Sequence, residues 1–444
     1  MVPEEILLEV FAVYMRGVVM NYEWGTLVHV CRRWRSIVFA ASRRLNLRLR
    51  CTWRTPVSKT LDIWPALPIA VYLGKYDLVN DNVLAALEKH DRVCEVEVDR
   101  VDQLEELVGA MQVTFPALTS FDIYPMAGAA PLPESFLGGS APNLRSLFLM
   151  KTAFPALPKL LLSSPGLVSL SLYDIPPSWS ISSDAMVDCL SSLTRLETLE
   201  IRFQASQPHP NRASQRPSPL ARTVFPVLGE LSLQGVTEYL EQILVHMEAP
   251  LLDSVYIRFF NPPIFDIFVS RIAPCIGRTG TFEAFNQVHM SFLYDASFNV
   301  VLSSRKRTTG GKMLTLSLQW EESSWELLEL TYGPRFGPFH HCSIEGRSNL
   351  PNWAKDIANV PWLHLVRFFP ATEYMYLCQR LAVRVVPALQ GLTGAGVTEV
   401  LPILRNIFVE HLDSLGPVQE AIGQFVAARQ LLSGYPIDVQ CWVD

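Results

Sequence analysis

The sequence predicts an α/β protein: a short N-terminal run of helices, then a long array of parallel strands with helices between them. Three observations carry that expectation. An apolar phrase recurs about every 25 residues, helical patterns fill the intervals, and the first 60 residues carry a charge opposite in sign to the rest.

The phrase is an apolar residue, two others, an apolar residue, one other, and an apolar residue. It reads Val93-x-x-Val96-x-Val98, Leu118-x-x-Phe121-x-Ile123, Leu144-x-x-Leu147-x-Leu149 and Leu167-x-x-Leu170-x-Leu172. It continues as Leu196-x-x-Leu199-x-Ile201, Leu228-x-x-Leu231-x-Leu233 and Leu252-x-x-Val255-x-Ile257. The intervals are 25, 26, 23, 29, 32 and 24 residues, and proline often stands two positions before the phrase. Side chains two apart on a strand share a face, so the last two apolar positions line one side. Stacking such strands buries that side, at about 1.5–3 kcal/mol for each fully buried Leu or Ile. Helical spacing fills Asn82–Lys89, Gln103–Met111, Asp184–Leu193 and Glu238–Met247. Strand and helix alternating at this period describe an irregular leucine-rich-repeat-like solenoid.

Past residue 260 the register loosens. Phe285-x-x-Val288-x-Met290 fits, Leu314, Leu316 and Leu318 alternate as a strand, and Thr372-x-x-Met375-x-Leu377 is a weaker match. Leu363-x-x-Val366-x-Phe368 and Leu404-x-x-Ile407-x-Val409 restore the phrase, the latter with Pro402 two before it. The Pro/Ser/Gln-rich Ser206–Pro219 reads as a solvated insertion. Pro417–Leu432 reads as a proline-started helix with Val418, Ile422, Phe425 and Val426 on one face, suited to cap the last repeat. No Asn or Cys closes the repeats in the regular way, so their turns must satisfy backbone groups by other means. The expected layout is a helical module over 1–55, a linker or first helical cap over 56–90, the solenoid over 91–410 with an insertion at about 204–222, and a C-terminal cap over 411–444.

Composition agrees with a large buried core. Of 444 residues, 49% are hydrophobic and 18% charged, which excludes disorder, collagen and coiled coil. The richest apolar stretch, Ile6 to Met20, is interrupted by Glu9 and Arg16, so a membrane span is not expected. The eight cysteines are scattered with no C-x-x-C, and Met-Val-Pro-Glu-Glu is acidic where a signal peptide would be basic. Both point to cytoplasm or nucleus. Residues 1–60 hold 10 Lys/Arg against 4 acids, +6, which leaves −12 for the remainder. A sign change of this kind marks an interaction segment.

That segment starts with a helix over Pro3–Met15: proline opens it, Glu4 and Glu5 complement its positive end, and Ile6, Leu7, Val10, Phe11 and Tyr14 share a face. A second apolar stretch, Trp24, Leu27, Val28, Val30, Cys31, Trp34, Ile37 and Val38, interleaves with Arg32, Arg33 and Arg35. Helices this short cannot bury their stripes on one another alone, so an uncovered face is a partner site.

The strings VPEEILLEVF and LVHVCRRWRSIVFAASRRLNLRL, with LDIWPALPI at Leu61–Ile69, resemble the F-box of the family abundant in mushroom-forming fungi. Departures are Val2 in place of Leu, Leu45-Asn46 in place of Leu-Trp, and a longer Arg16–Glu23 segment. The resemblance implies a helical module that docks on the Skp linker subunit of a cullin–RING ubiquitin ligase. It carries Pro3, Ile6, Leu7 and Phe11 over as contacts on the first helix, and Val30, Cys31, Trp34 and Ile37 as a second cluster, part contact and part internal packing. The solenoid would then hold a target protein.

Two other readings weigh against this one. The helices could be an amphipathic hairpin packed on the body, leaving a structural or interaction protein with a remnant box. Alternatively the arginines could bind nucleic acid, but they interleave with buried-type residues and the rest of the chain is acidic, so no nucleic-acid partner is expected. Catalysis finds no support: there is no Walker loop, G-x-G-x-x-G, G-x-S-x-G or H-E-x-x-H. Gly310-Gly311-Lys312 after Arg305-Lys306-Arg307 reads as a turn, and Glu321-Glu322 as a solvated face. His340-His341-Cys342 is a single local cluster where zinc needs three or four converging ligands. A non-enzymatic chain without cofactor or metal is expected.

Overall fold

The computed structural model describes residues 2–17, 24–100, 104–126, 130–176, 181–204, 222–260, 287–292, 297–303, 313–319, 341–346, 371–390, 400–410, 416–433 and 436–442. It is an α/β protein of two compact units, Met1–Leu196 and Glu197–Asp444.

The first unit begins with α1 (Glu4–Gly17), α2 (Trp24–Val30) and α3 (Arg32–Ala40). Strand–helix alternation follows: β1 (Leu49–Cys51), α4 (Val57–Ile63), β2 (Ile69–Leu73), α5 (Asp81–Leu87), β3 (Val93–Asp99), α6 (Leu104–Ala110) and β4 (Ser120–Tyr124). A short 3₁₀ turn at Phe136–Gly139 replaces the next helix, before β5 (Ser146–Met150), α7 (Leu157–Leu162), β6 (Ser169–Ile175) and α8 (Ser183–Ser191). Each strand pairs in parallel with the next in sequence, β1 through β6. Register aligns the repeats: Val96 opposes Phe121, Phe121 opposes Leu147, and Leu147 opposes Leu170. Every apolar position of the four phrases in this stretch is buried. Phe121, Phe136 and Phe154 meet edge to face beneath the strands, with ring centroids 5.1 and 5.6 Å apart.

Proline before the phrase now has a physical meaning. In Phe115-Pro116-Ala117-Leu118, Ala141-Pro142-Asn143-Leu144 and Ser164-Pro165-Gly166-Leu167, the leucine N–H donates to the carbonyl three residues back, at 3.1 Å each. Proline occupies the second position of these β-turns, where its fixed φ is preorganised. The same bond closes Phe225-Pro226-Val227-Leu228 and Leu401-Pro402-Ile403-Leu404 in the second unit. Leu193-Thr194-Arg195-Leu196 makes the turn without proline, at 3.2 Å. One carbonyl per turn then takes the next strand's first amides: Thr119 O accepts from both Arg145 and Ser146 N–H, and Arg145 O from Val168 and Ser169 N–H. These bonds do the work that a closing Asn does in a regular repeat.

The second unit opens with β7 (Thr198–Phe203), β8 (Thr223–Val224), β9 (Glu230–Gly235), α9 (Thr237–Val245), β10 (Met247–Glu248) and β11 (Ser254–Phe259). β7, β9 and β11 form a parallel ladder, while β8 and β10 pair as a small separate one. Then come β12 (Gln287–Phe292), β13 (Ser297–Ser303), β14 (Met313–Gln319), β15 (His341–Gly346) and β16 (Tyr374–Leu377). The chain ends with α10 (Gln379–Gln390), β17 (Asn406–Glu410), α11 (Pro417–Ser433) and β18 (Asp438–Trp442). Here the order departs from the sequence. β11 pairs with β14, β14 and β13 and then β13 and β12 are antiparallel, and β12 pairs in parallel with β15. From β15 to β18 the ladder is parallel and sequential again.

Three boundaries differ from the sequence expectation. The ladder begins at β1 and β2, inside the stretches assigned to the helical module and to a linker, because Leu49, Cys51, Ile69, Val71 and Leu73 supply two more buried strand faces. Residues 411–444 supply β18 as well as a helix, so this tail adds a strand to the ladder. An all-parallel array over 91–410 is interrupted by the reversed β12–β14. The expected insertion Ser206–Pro219, the phrase at Leu363–Phe368, Phe285, Arg305–Lys312, Glu321-Glu322 and His340 lie outside the described residues.

Candidate functional site

The N-terminal helices are built around two aromatic contacts. α1 turns its Leu7, Leu8, Phe11 and Met15 face inward, and Phe11 meets Trp34 of α3 edge to face at 4.8 Å. Trp24 of α2, Phe39 of α3 and Trp64 after α4 form the second, with centroids 5.3 to 5.8 Å apart. The Trp24 indole N–H donates to the Arg48 carbonyl at 2.7 Å, which satisfies its polar atom in an otherwise apolar site. Trp64 comes from the Leu61–Ile69 string, so that string closes the module.

Cys31 breaks the chain between α2 and α3. Its extended backbone makes it the N-cap of α3, and its Sγ accepts from the Trp34 N–H at 3.4 Å. Arg35 Nε donates back to the Val28 carbonyl at 3.0 Å and Arg33 to the Val2 carbonyl at 2.5 Å. The Tyr14 and Thr26 hydroxyls bond at 3.1 Å, and Arg44 pairs with Glu9. The arginines of this segment thus knit the helices together as well as charging them.

Of the residues singled out from the sequence, Pro3, Ile6, Val30 and Cys31 lie exposed. Leu7, Phe11 and Ile37 are buried inside the module, and Trp34 is half-buried against Phe11. Val10 and Val13, which the resemblance did not carry over, share the outer side of α1 with Ile6 and Tyr14, at 53% exposed for Ile6 and 63% for Val13. The single face expected for Ile6, Leu7, Val10, Phe11 and Tyr14 is divided in the structure: Leu7 and Phe11 turn inward, while Ile6, Val10, Val13 and Tyr14, spaced i, i+4, i+7, i+8, lie on the outer side.

The outward face of the strands is the other candidate. Tyr124, Phe148 and Tyr173 stack along β4, β5 and β6 at 4.3 and 5.2 Å in the first unit. In the second unit, His341 stacks on Tyr374 at 4.6 Å and Tyr376 on Phe408 at 4.6 Å. His341 therefore sits on a ring outside the ladder while neighbouring Cys342 is buried beneath it, so the two diverge. Among the described residues no group of three metal-ligating side chains converges. Burial pushes the Cys51 and Cys189 thiols up to about 11 and Cys342 to about 12, so these sulfurs stay protonated and unreactive at neutral pH. A shallow hollow at the turns, lined by Pro142, Asn143, Arg145, Pro165, Thr194 and Arg195, holds two cations and no acid or thiol. Among the described residues no helix is long and apolar enough to cross a membrane. No protein-family profile matches the chain, and no curated protein matches it in sequence.

Proposed function

We propose that this chain is a non-catalytic substrate-recognition adaptor of an SCF-type cullin–RING ubiquitin ligase, working in the cytoplasm or nucleus. The N-terminal helices dock on the Skp linker subunit, and the outward strand face holds a target protein. The observation that carries this reading is the apolar side of α1 left uncovered: Ile6, Val10, Val13 and Tyr14 stand exposed while Leu7 and Phe11 anchor the helix from behind. Burying such a stripe against a partner is worth about 25 cal/mol per Å² of apolar surface. Docking contacts are then Pro3, Ile6, Val10, Val13, Val30 and Cys31, with Leu7, Phe11, Trp34 and Ile37 supporting them from inside. Ubiquitin transfer belongs to other subunits.

The test is co-expression with a Skp linker subunit and co-purification. Intact chain is expected to bind, and Ile6→Glu or Val10→Glu to abolish binding without loss of folding. No binding by the intact chain overturns the proposal. Leu7→Glu is a poor probe, because it would unfold the module. A second reading, an interaction protein with a remnant box and no ligase role, draws support from the burial of Leu7 and Phe11; the exposure of Ile6 and Val30 counts against it.

A further inference from the structure

On the outward face of the first unit, strand register sets four side chains in one row: Tyr72 opposes Glu97, Glu97 opposes Asp122, and Asp122 opposes Phe148. Two carboxylates thus lie side by side between two rings. Like charges directly opposed on a sheet destabilise it unless something neutralises them.

The chain neutralises one end itself. The Arg50 guanidinium lies over the Tyr72 ring, 4.4 Å from its centroid, and its charge acts on Glu97. The second unit repeats the arrangement: Arg202 lies over Tyr256 at 5.4 Å and pairs with Glu200 at 3.6 Å. In both places an aromatic ring carries a guanidinium close enough to a carboxylate for their charges to interact, and at Arg202 the two form an ion pair. A guanidinium is planar, stacks on rings and bonds oxygen in a fork. The Asp122 end has a carboxylate and a ring platform, Tyr124 stacked on Phe148 at 4.3 Å. Neighbouring Glu95 is paired with Arg48, and Asp99 with Arg100 at 3.4 Å. Asp122 has the Ser120 hydroxyl at 3.5 Å and, among the described residues, no cation at ion-pair distance. Burial first, then Glu97 and Glu95, push its carboxyl up to about 6.

We propose that the Asp122–Phe148–Tyr124 site binds an arginine side chain of a basic segment on a partner protein. The partner's guanidinium would complete at this end what Arg50 completes at the other. The site stands on the sheet face alone; combined with the adaptor reading, it would select targets that display arginine.

The test is fluorescence anisotropy of the full chain with a labelled Gly/Ser peptide carrying three arginines at alternate positions. Parallel peptides carry lysine or glutamine instead. The arginine peptide is expected to bind, and Asp122→Asn and Phe148→Ala are each expected to weaken it by about tenfold or more. Binding also falls as pH drops through about 6, because the Asp122 carboxylate must be ionised. Glu95, Glu97, Asp99 and Tyr124 face the same site with Arg48 and Arg50, so the Asp122→Asn variant must lose that pH step for Asp122 to be its source. Asp122→Asn is expected to melt no lower than wild type at pH 7, since it removes a desolvated charge. Equal binding by wild type and Asp122→Asn overturns the proposal, as does absence of binding to the intact chain. Equal binding of the lysine peptide overturns the guanidinium assignment. None of these readouts requires the Skp subunit, so the two proposals fail separately.

Discussion

The two units use the same apolar phrase and reach different strand orders. From β1 to β6 every strand pairs with its neighbour in sequence, all parallel, with successive phrases 23 to 26 residues apart from β3 to β6. In the second unit the strand order reverses at β12–β14. Connection length accounts for the difference. A parallel crossover needs a dozen or more residues, whereas an antiparallel pair needs only a turn. Residues 293–296 and 304–312 are all that separate β12, β13 and β14, so these strands fold back on each other. The phrase says that a strand forms; the spacing between strands says which way it runs.

Three substitutions bear on that comparison. The largest effect is expected from Phe121→Ala, which removes a fully buried ring from the core of the regular unit. A loss of about 3–5 kcal/mol follows from the cavity, and calorimetry should show the first unit melting early while the second is unchanged. Equal effects on both units would mean that they unfold as one.

Arg429→Leu should damage the second unit instead. The buried guanidinium of Arg429 in α11 donates to the Val400, Leu401 and Pro402 carbonyls at 3.1, 2.7 and 2.6 Å, tying the last helix to the turn before β17. Leaving these carbonyls unmet costs about 2–3 kcal/mol. Hydrogen exchange should accelerate in β17 and β18 and stay unchanged in β3–β6. Burial lowers the Arg429 pKa from its ordinary value, so the residue exchanges hydration for these three carbonyls.

The smallest effect goes the other way. Thr194 is exposed in the turn that lacks proline, and its neighbours make the bonds that Ser164 and Leu167 make around Pro165. Thr194→Pro should therefore stabilise by about 0.4–1 kcal/mol, through the entropy of the unfolded chain. A lower melting temperature would show that this turn differs from its siblings.

Much of the ladder was legible in the residues. The phrases at 93–98 through 252–257 all became strands or strand entries with their apolar positions buried, and α5, α6, α8 and α9 fall within a residue or two of their expected spans. β1 was missed because three residues, Leu49–Cys51, are too few to display a period. β2 was missed because four of its five residues are buried, so it shows no alternation. The candidate site divides in the same way. Apolar spacing identified α1 as a helix with something to bury, but Leu7 and Phe11 proved to be its anchor and Ile6 and Val13 its free side.

By itself, the sequence determined where most strands, turns and helices begin, because those depend on side chains two, three or four positions apart and on proline at a turn. It also set the sign of charge at each end of the chain. The tertiary structure decided what depends on residues far apart in the chain: the reversed order of β12–β14, which side of α1 meets Trp34, and which carboxylate faces a ring with no cation at ion-pair distance among the described residues. Asp122, Phe148 and Tyr173 are spread over 52 residues of sequence and become neighbours only when β4, β5 and β6 pair in register. Local periodicity cannot encode that adjacency, because it arises from burying three faces against one core at once.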